Sequence, residues 1–271
     1  MHGIDAGARG STLAVIMQDR LQALISEYDA SAPLERAWTI PAPWYSHPQV
    51  AEAEVKTVFG CSWQCIGRAA QLAQPGEFVA TDVAGEPIIA VRGQDGRLRA
   101  FFNVCRHHAA AVVSEACGRR DLLRCPYHGW TYGLDGALKG TPDFAAVQEF
   151  DPERNGLVPV QVEQWEQFVF VNLDRTATSV RNFFGELADR VPSLRLDAMR
   201  FVERRSYELR CNWKVFVDNY LDGGYHINSV HPGLAGILDY SQYRSELFAE
   251  CSVQLSPTAP PRDEASAAVA S

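Results

Sequence analysis

Asn103-Val104-Cys105-Arg106-His107-His108 and Arg124-Cys125-Pro126-Tyr127-His128-Gly129-Trp130-Thr131 are the two short stretches on which the reading of this chain turns. The first is Cys-x-His, the second is Cys-x2-His, and seventeen residues separate His107 from Cys125. Each half carries one thiolate and one imidazole on a tight loop between β-type runs. Two hairpin tips brought together would present two sulfurs and two nitrogens at one point.

Working outward, Glu77–Ala80, Ile88–Arg92, Leu98–Asn103, Leu157–Val160 and Phe168–Asn172 have the β-branched and aromatic make-up of strands. Gln94-Asp95-Gly96 and Leu134-Asp135-Gly136 read as hairpin turns, because Asp-Gly tolerates positive φ. The stretch from about Trp63 to Asn172 is therefore expected to be a small, mostly antiparallel domain. Upstream, Leu13, Met17, Leu21, Leu24, Ile25 and Tyr28 recur at helical spacing over Thr12–Tyr28, and a proline-punctuated connection carries Trp38, Trp44 and Tyr45. Downstream, Val180–Asp189 reads as a helix, Phe201–Arg210 as a strand and Trp213–Leu221 as a helix. The first eleven residues and the tail from Ser256 are too poor in apolar groups to offset their ordering entropy, and are expected to be disordered.

The bulk composition narrows the function classes. The chain has 271 residues, 46% of them hydrophobic, with 33 acidic against 25 basic side chains and a net charge of −8. Length and composition fit a globular protein of one large or two smaller domains. The acidic balance argues against nucleic acid, which needs a basic face. No apolar run approaches the ~18–20 residues that span a bilayer. The early Asp5 and the short run Leu13–Met17 do not make a signal peptide, so a cytoplasmic location and no membrane association are the expectation. Seven cysteines, an odd number, make a poor disulfide framework without an export signal. Ligation is the better use to look for.

Two chemistries suit the first constellation. A Cys2His2 zinc site usually keeps its cysteines in one half and its histidines in the other. A Rieske 2Fe–2S cluster uses two cysteines on one iron and two histidines on the second, and mixed halves favour it. His108 reads as a neighbour of the ligands, Cys117 as a loop residue, and Cys61 and Cys65 as buried residues sharing one helical face. A second constellation lies in Asn212-Trp213-Lys214-Val215-Phe216-Val217-Asp218-Asn219-Tyr220-Leu221-Asp222-Gly223-Gly224-Tyr225-His226 and on to His231-Pro232. His226 and His231 can share one metal if the backbone leaves a regular helix between them, as in the two-histidine, one-carboxylate site of non-haem iron oxygenases. Asp222 is the candidate acid that accepts a hydrogen bond from a ligand imidazole, with Asp218 as its competitor.

Together the two motifs resemble the α subunit of a Rieske non-haem iron oxygenase, from Trp38-Thr39-Ile40-Pro41-Ala42-Pro43-Trp44-Tyr45 to about residue 250. Cys-Pro-Tyr-His-Gly-Trp and Asn-Trp-Lys-Val-Phe-Val-Asp-Asn-Tyr are its most specific parts, and the version here is similar to the choline monooxygenase branch. The resemblance implies an α+β chain. An all-β Rieske domain (56–175) would carry the cluster at two hairpin tips, and an incomplete helix-grip-type catalytic domain (176–255) would follow. A helix and linker (12–55) would pack on the latter, between disordered ends at 1–11 and 256–271. It further implies Cys105, His107, Cys125 and His128 as cluster ligands, His226 and His231 as ligands of a mononuclear Fe(II), and Asp222 as the bridge between centres. The implied partners are a ferredoxin or a flavin/NAD(P)H reductase as electron donor, O2 and a small organic substrate, in a homotrimer. The implied reaction is hydroxylation, demethylation or dihydroxylation, of a quaternary amine or of an aromatic ring.

Three departures from the family pattern stand out. His107-His108-Ala109 replaces the usual His-Arg-Gly, which leaves the ligands in place. Gly223-Gly224 sets Asp222 four residues before His226 instead of three. The family's carboxylate iron ligand comes from far downstream, whereas forty residues follow His231 here, with Asp239, Glu246 and Glu250 as the substitutes on offer. A C-terminally truncated chain is the resulting expectation. An electron-transfer Rieske protein, an inactive truncated oxygenase and a zinc-binding structural module are the competing readings.

Overall fold

The computed structural model describes residues 18–144 and 147–258. The chain divides into two compact units, residues 52–200 and residues 1–51 with 201–271.

In the first unit the alternating runs become strands. A seven-stranded sheet contains β1 (Gln64–Arg68), β2 (Glu77–Val83), β3 (Glu86–Arg92), β4 (Leu98–Phe102), β5 (Cys117–Arg119), β9 (Pro159–Trp165) and β10 (Phe168–Asn172), in the order β1-β10-β9-β4-β3-β2-β5. Its pairings are antiparallel throughout, with Ile89 opposite both Ala80 and Phe101. A second sheet of β6 (Leu123–Arg124), β7 (Thr131–Tyr132) and β8 (Leu138–Gly140) is also antiparallel. Both predicted Asp-Gly turns form, closing β3 to β4 and β7 to β8, with Gly96 and Gly136 at positive φ.

The two-residue period of the strands sends neighbouring side chains to opposite faces. Phe78, Ile89, Val91 and Phe101 project into one cluster with Leu123, Trp130, Tyr132, Cys105 and Cys125. Val79, Ile88, Ala90 and Ala100 project into the other, with Leu72, Val169 and Val171. The first face fixes the small sheet and its loops on the large one, so the sulfur-bearing loops rest on a packed floor.

Several expectations need correcting. Phe201–Arg210 forms no strand: residues 201–210 have no regular structure and every one is exposed, because a strand needs a partner ladder and none is present among the described residues. Val180–Asp189 is two short helices, Val180–Phe184 and Leu187–Arg190, separated at Gly185. Cys61 and Cys65 share no helical face, since Cys65 lies in β1, and both are exposed. Cys117 begins edge strand β5 instead of lying in a loop.

The second unit contains the Trp213–Leu221 helix, with the bounds its sequence implies. Asn212 caps it, its side chain accepting from Lys214 N at 3.0 Å. A hairpin that the sequence reading missed, β11 (Arg244–Leu247) with β12 (Ser252–Leu255), follows. Residues 18–26 are helical, while the start of the predicted Thr12–Tyr28 helix and the first eleven residues lie outside the described residues. Of the tail, residues 259–271 lie outside them too; Thr258 bridges to Leu238, and Asp239 N donates to Pro257 O at 2.9 Å. No helix among the described residues is long and apolar enough to cross a membrane.

Phe78 has no exposed surface and stands at the centre of the floor under the loops. Phe78→Ala should destabilise the unit by about 3–5 kcal/mol, read as a fall in the midpoint of denaturant unfolding at an unchanged slope.

Candidate metal centres

The two Cys-His loops are built on one hydrogen-bond frame. In the first, Cys105 N donates to Ala110 O at 2.8 Å and Ala109 N donates to Cys105 O at 3.0 Å. In the second, Cys125 N donates to Trp130 O at 2.8 Å and Gly129 N donates to Cys125 O at 3.1 Å. The fifth residue of each loop has positive φ, 58° at Ala109 and 72° at Gly129. The frame turns each chain back on itself, which buries the cysteine at the base and leaves the imidazole at the tip. Asn103, buried at the end of β4, clips the first loop by accepting from Val112 N and Val113 N and donating to Val113 O.

Cys105 and Cys125 are buried in the same apolar cluster, His107 is half-buried, and His128 and His108 are exposed. The ligating atoms of His107, His108 and His128 all lie within 4.8 Å of one another. His107 Nδ1 is buried with no hydrogen-bond partner, and such an atom calls for a group outside the chain to satisfy it. Burial, followed by the neighbouring His108 and His128, pushes the His107 pKa down. That favours the neutral imidazole, the form that binds a metal. Two buried thiols and three convergent imidazoles, one of them with an orphaned nitrogen, include the donors of a Cys2His2-ligated group, with His108 beside the two histidines of the Cys-x-His and Cys-x2-His pattern.

Two residues that the sequence reading passed over complete this surround. The Tyr132 hydroxyl lies 3.3 Å from Cys105 Sγ and accepts from Arg106 N at 2.9 Å. Burial first, then the two nearby thiols, holds its pKa well above the ordinary value for tyrosine. Trp130 lies parallel to His107, at 4.7 Å between centroids and 4° between planes. Their signal was available in Trp-Thr-Tyr directly after the second loop.

The second constellation lies in the other unit. After the Trp213–Leu221 helix, a 3-10 turn at Gly223–His226 leads into the short helix Ile227–Val230, which ends at His231 before Pro232. This break in regular helix brings the two imidazoles to 5.1 Å between centroids. Both line a cavity of about 380 Å³ with Phe216, Tyr220, Tyr243 and Gln254. His226 Nδ1 is also buried without a partner, so this pair too suits an ion.

The carboxylates are less obliging. Asp222 is exposed at the C-terminal end of the helix and does not bond to His226 Nδ1. Asp218 accepts a very short hydrogen bond from the Tyr45 hydroxyl, which pushes the Tyr45 pKa up to about 12. Asp239 is occupied by Ser241 and Gln242, Glu246 pairs with Arg244, and Glu250 is exposed. None of these five lines the cavity. The Gly-Gly departure has a local cause: a Cβ on Gly224 would stand 2.6 Å from the Tyr240 ring and 2.8 Å from that of Tyr243. The doublet lets those rings lie on the backbone, at the cost of setting Asp222 one residue further back.

Two family models match the chain, the Rieske [2Fe-2S] domain over residues 62–151 and the ring hydroxylating alpha subunit (catalytic domain) over residues 196–260. The carnitine monooxygenase oxygenase subunit of Acinetobacter pittii is 39% identical over 222 residues, 79% of this chain and 58% of that protein. The chloroplastic choline monooxygenase of Beta vulgaris is 34% identical over 239 residues, 86% of this chain and 53% of that protein. This chain therefore spans little more than half the length of the curated relatives it matches. A crystal structure of a quaternary ammonium Rieske monooxygenase with L-carnitine superposes with a TM-score of 0.75 at 36% identity, over 81% of this chain and 63% of that one. Naphthalene 1,2-dioxygenase from Rhodococcus sp. shares the fold, with a TM-score of 0.72 at 23% identity over 90% of this chain and 57% of that one.

Alanine at φ 58° is strained where the second loop has glycine. Relief of the left-handed penalty, less the entropy glycine gains in the unfolded chain, should make Ala109→Gly more stable by about 0.5–1 kcal/mol, read as a rise in the thermal midpoint.

Proposed function

Because this chain belongs to the Rieske non-haem iron oxygenase α-subunit family, we propose that it is an oxygenase component with two metal centres. Cys105, His107, Cys125 and His128 hold a 2Fe–2S cluster, and His226 and His231 hold a mononuclear iron. When bound, the cluster supplies one-electron transfer and the mononuclear iron supplies O2 activation. The observation that carries the reading is the matched pair of loop frames, each with a buried cysteine at its base and an imidazole at its tip.

The roles of the protein groups follow from their surroundings. The apolar floor keeps water from the two sulfurs, and Tyr132 offers its hydroxyl to Cys105 Sγ. Hydrogen bonds to sulfur are one of the levers that set the potential of such clusters. Asp222, exposed and four residues before His226, is the carboxylate proposed to link the two centres between subunits of a homotrimer. A ferredoxin or a flavin/NAD(P)H reductase is the proposed electron donor, and the cytoplasm the proposed location.

Phe216, Tyr220 and Tyr243 make an aromatic wall beside the two histidines. Ring faces attract cations through their quadrupoles. Carnitine and choline, named for the relatives, are quaternary ammonium compounds, so a small quaternary amine is the favoured substrate class and its O2-dependent hydroxylation or demethylation the favoured reaction. A second reading is electron transfer by the cluster alone.

Metal analysis separates the two readings. The oxygenase reading expects about three irons and two acid-labile sulfides per chain, and His226→Ala should lower the iron to about two while the visible cluster spectrum stays. Two irons in the unaltered protein would favour electron transfer alone. Zinc without sulfide would overturn both.

A further inference from the structure

The two imidazoles of the cluster site sit in opposite surroundings. His128 is exposed and its ring neighbour Tyr127, 3.8 Å away between centroids, is 65% exposed. His107 is half-buried, with one ring face against Trp130 at 4.7 Å and 4°. Trp130 is 3% exposed and is itself held edge-on by Phe144 at 5.3 Å and Phe150 at 5.6 Å, which meet each other at 4.9 Å. Its backbone carbonyl also closes the second loop by accepting from Cys125 N at 2.8 Å. One residue therefore belongs to the frame of the Cys125 loop while its ring lies on the imidazole of the Cys105 loop.

From this geometry we propose that Trp130 is a positioning residue that sets the plane of the His107 imidazole and so makes the two histidines of the centre inequivalent. The inference rests on the cluster reading above. No group of the protein itself bonds His107 Nδ1 to fix the ring's rotation about χ2 before a metal group is bound, and sp3–sp2 torsions of this kind are broad. Parallel contact with a ring that is itself locked by two phenyl groups narrows that torsion. The same ring keeps water from the inner side of the site. A cluster with two ferric ions, two sulfides, two thiolates and two neutral imidazoles is neutral when oxidised and carries one negative charge when reduced. Excluding water disfavours the charged form, so the Trp130 ring holds the reduction potential down.

The test uses the full chain with its cluster and compares Trp130→Phe, Trp130→Leu and Trp130→Ala. Three readouts are taken: iron and sulfide content, the midpoint potential, and the nitrogen hyperfine couplings of the reduced cluster by pulsed EPR. Phenylalanine keeps a ring on His107 and should leave potential and couplings close to those of the unaltered protein. Leucine, which is apolar but has no ring, should broaden or shift one nitrogen coupling and leave the other, that of His128, in place. Alanine should do the same and raise the potential as water enters. Should leucine fail to load the cluster while phenylalanine loads it, the need for a ring is shown as well. The proposal is overturned if phenylalanine and leucine behave alike in all three readouts, or if neither loads the cluster, which would make Trp130 core filling only. A signal absent from the unaltered protein would instead defeat the cluster reading on which the inference stands.

Discussion

The structure depends on one constraint: two chain reversals must each bury a sulfur while keeping an imidazole at the tip. The frame from cysteine N–H to the carbonyl five residues on, with the return bond from four residues on, does this twice, at Cys105 and at Cys125. Neither loop buries much apolar surface by itself. Both depend on the large sheet, whose Phe78, Ile89, Val91 and Phe101 face the cysteines, and on Asn103, which satisfies three backbone groups that the first loop would otherwise leave unpaired. Because an unpaired buried backbone group costs about 1–3 kcal/mol, that single amide makes a large local contribution.

Loop chemistry was legible in the sequence because cysteine, histidine and Asp-Gly turns carry their meaning locally. The five longer strands β2, β3, β4, β9 and β10 and the Trp213–Leu221 helix were legible for a related reason, since their residue pattern is complete within each segment, whereas the two- and three-residue strands β5 to β8 are too short to carry one. The strand expected at Phe201–Arg210 had the right period but no partner ladder within the described residues, and period alone does not make a strand. Gly185 splits the helix expected at Val180–Asp189 through its positive φ, which a search for apolar spacing does not register. The β11–β12 hairpin was missed because it joins two four-residue runs without an Asn-Gly or Asp-Gly turn. For the sites, the seven candidate residues were readable as types; Trp130 and Tyr132 were present as residue types beside the second loop, but their contacts with His107 and Cys105 of the other loop showed only in three dimensions.

The second unit presents a contrast. Its two histidines share a wall with three aromatic rings in a cavity of about 380 Å³, yet none of the five candidate acidic residues lines it. Tyr45 holds Asp218, Ser241 and Gln242 hold Asp239, and Arg244 holds Glu246. Each is satisfied by a near neighbour, which is a local reason for not reaching the imidazoles. The double glycine has its own reason: Tyr240 and Tyr243 pack on bare backbone at Gly224, where a Cβ would stand 2.6–2.8 Å from their rings.

The most direct measurement on the central claim is pulsed EPR of the anaerobically purified, chemically reduced protein. Mixed thiolate and imidazole ligation predicts a paramagnetic centre coupled strongly to two nitrogens, with that coupling lost together with the centre when Cys105 or Cys125 is replaced by serine. A magnetically silent protein, or a centre without nitrogen coupling, would contradict the assignment of Cys105, His107, Cys125 and His128 to one cluster.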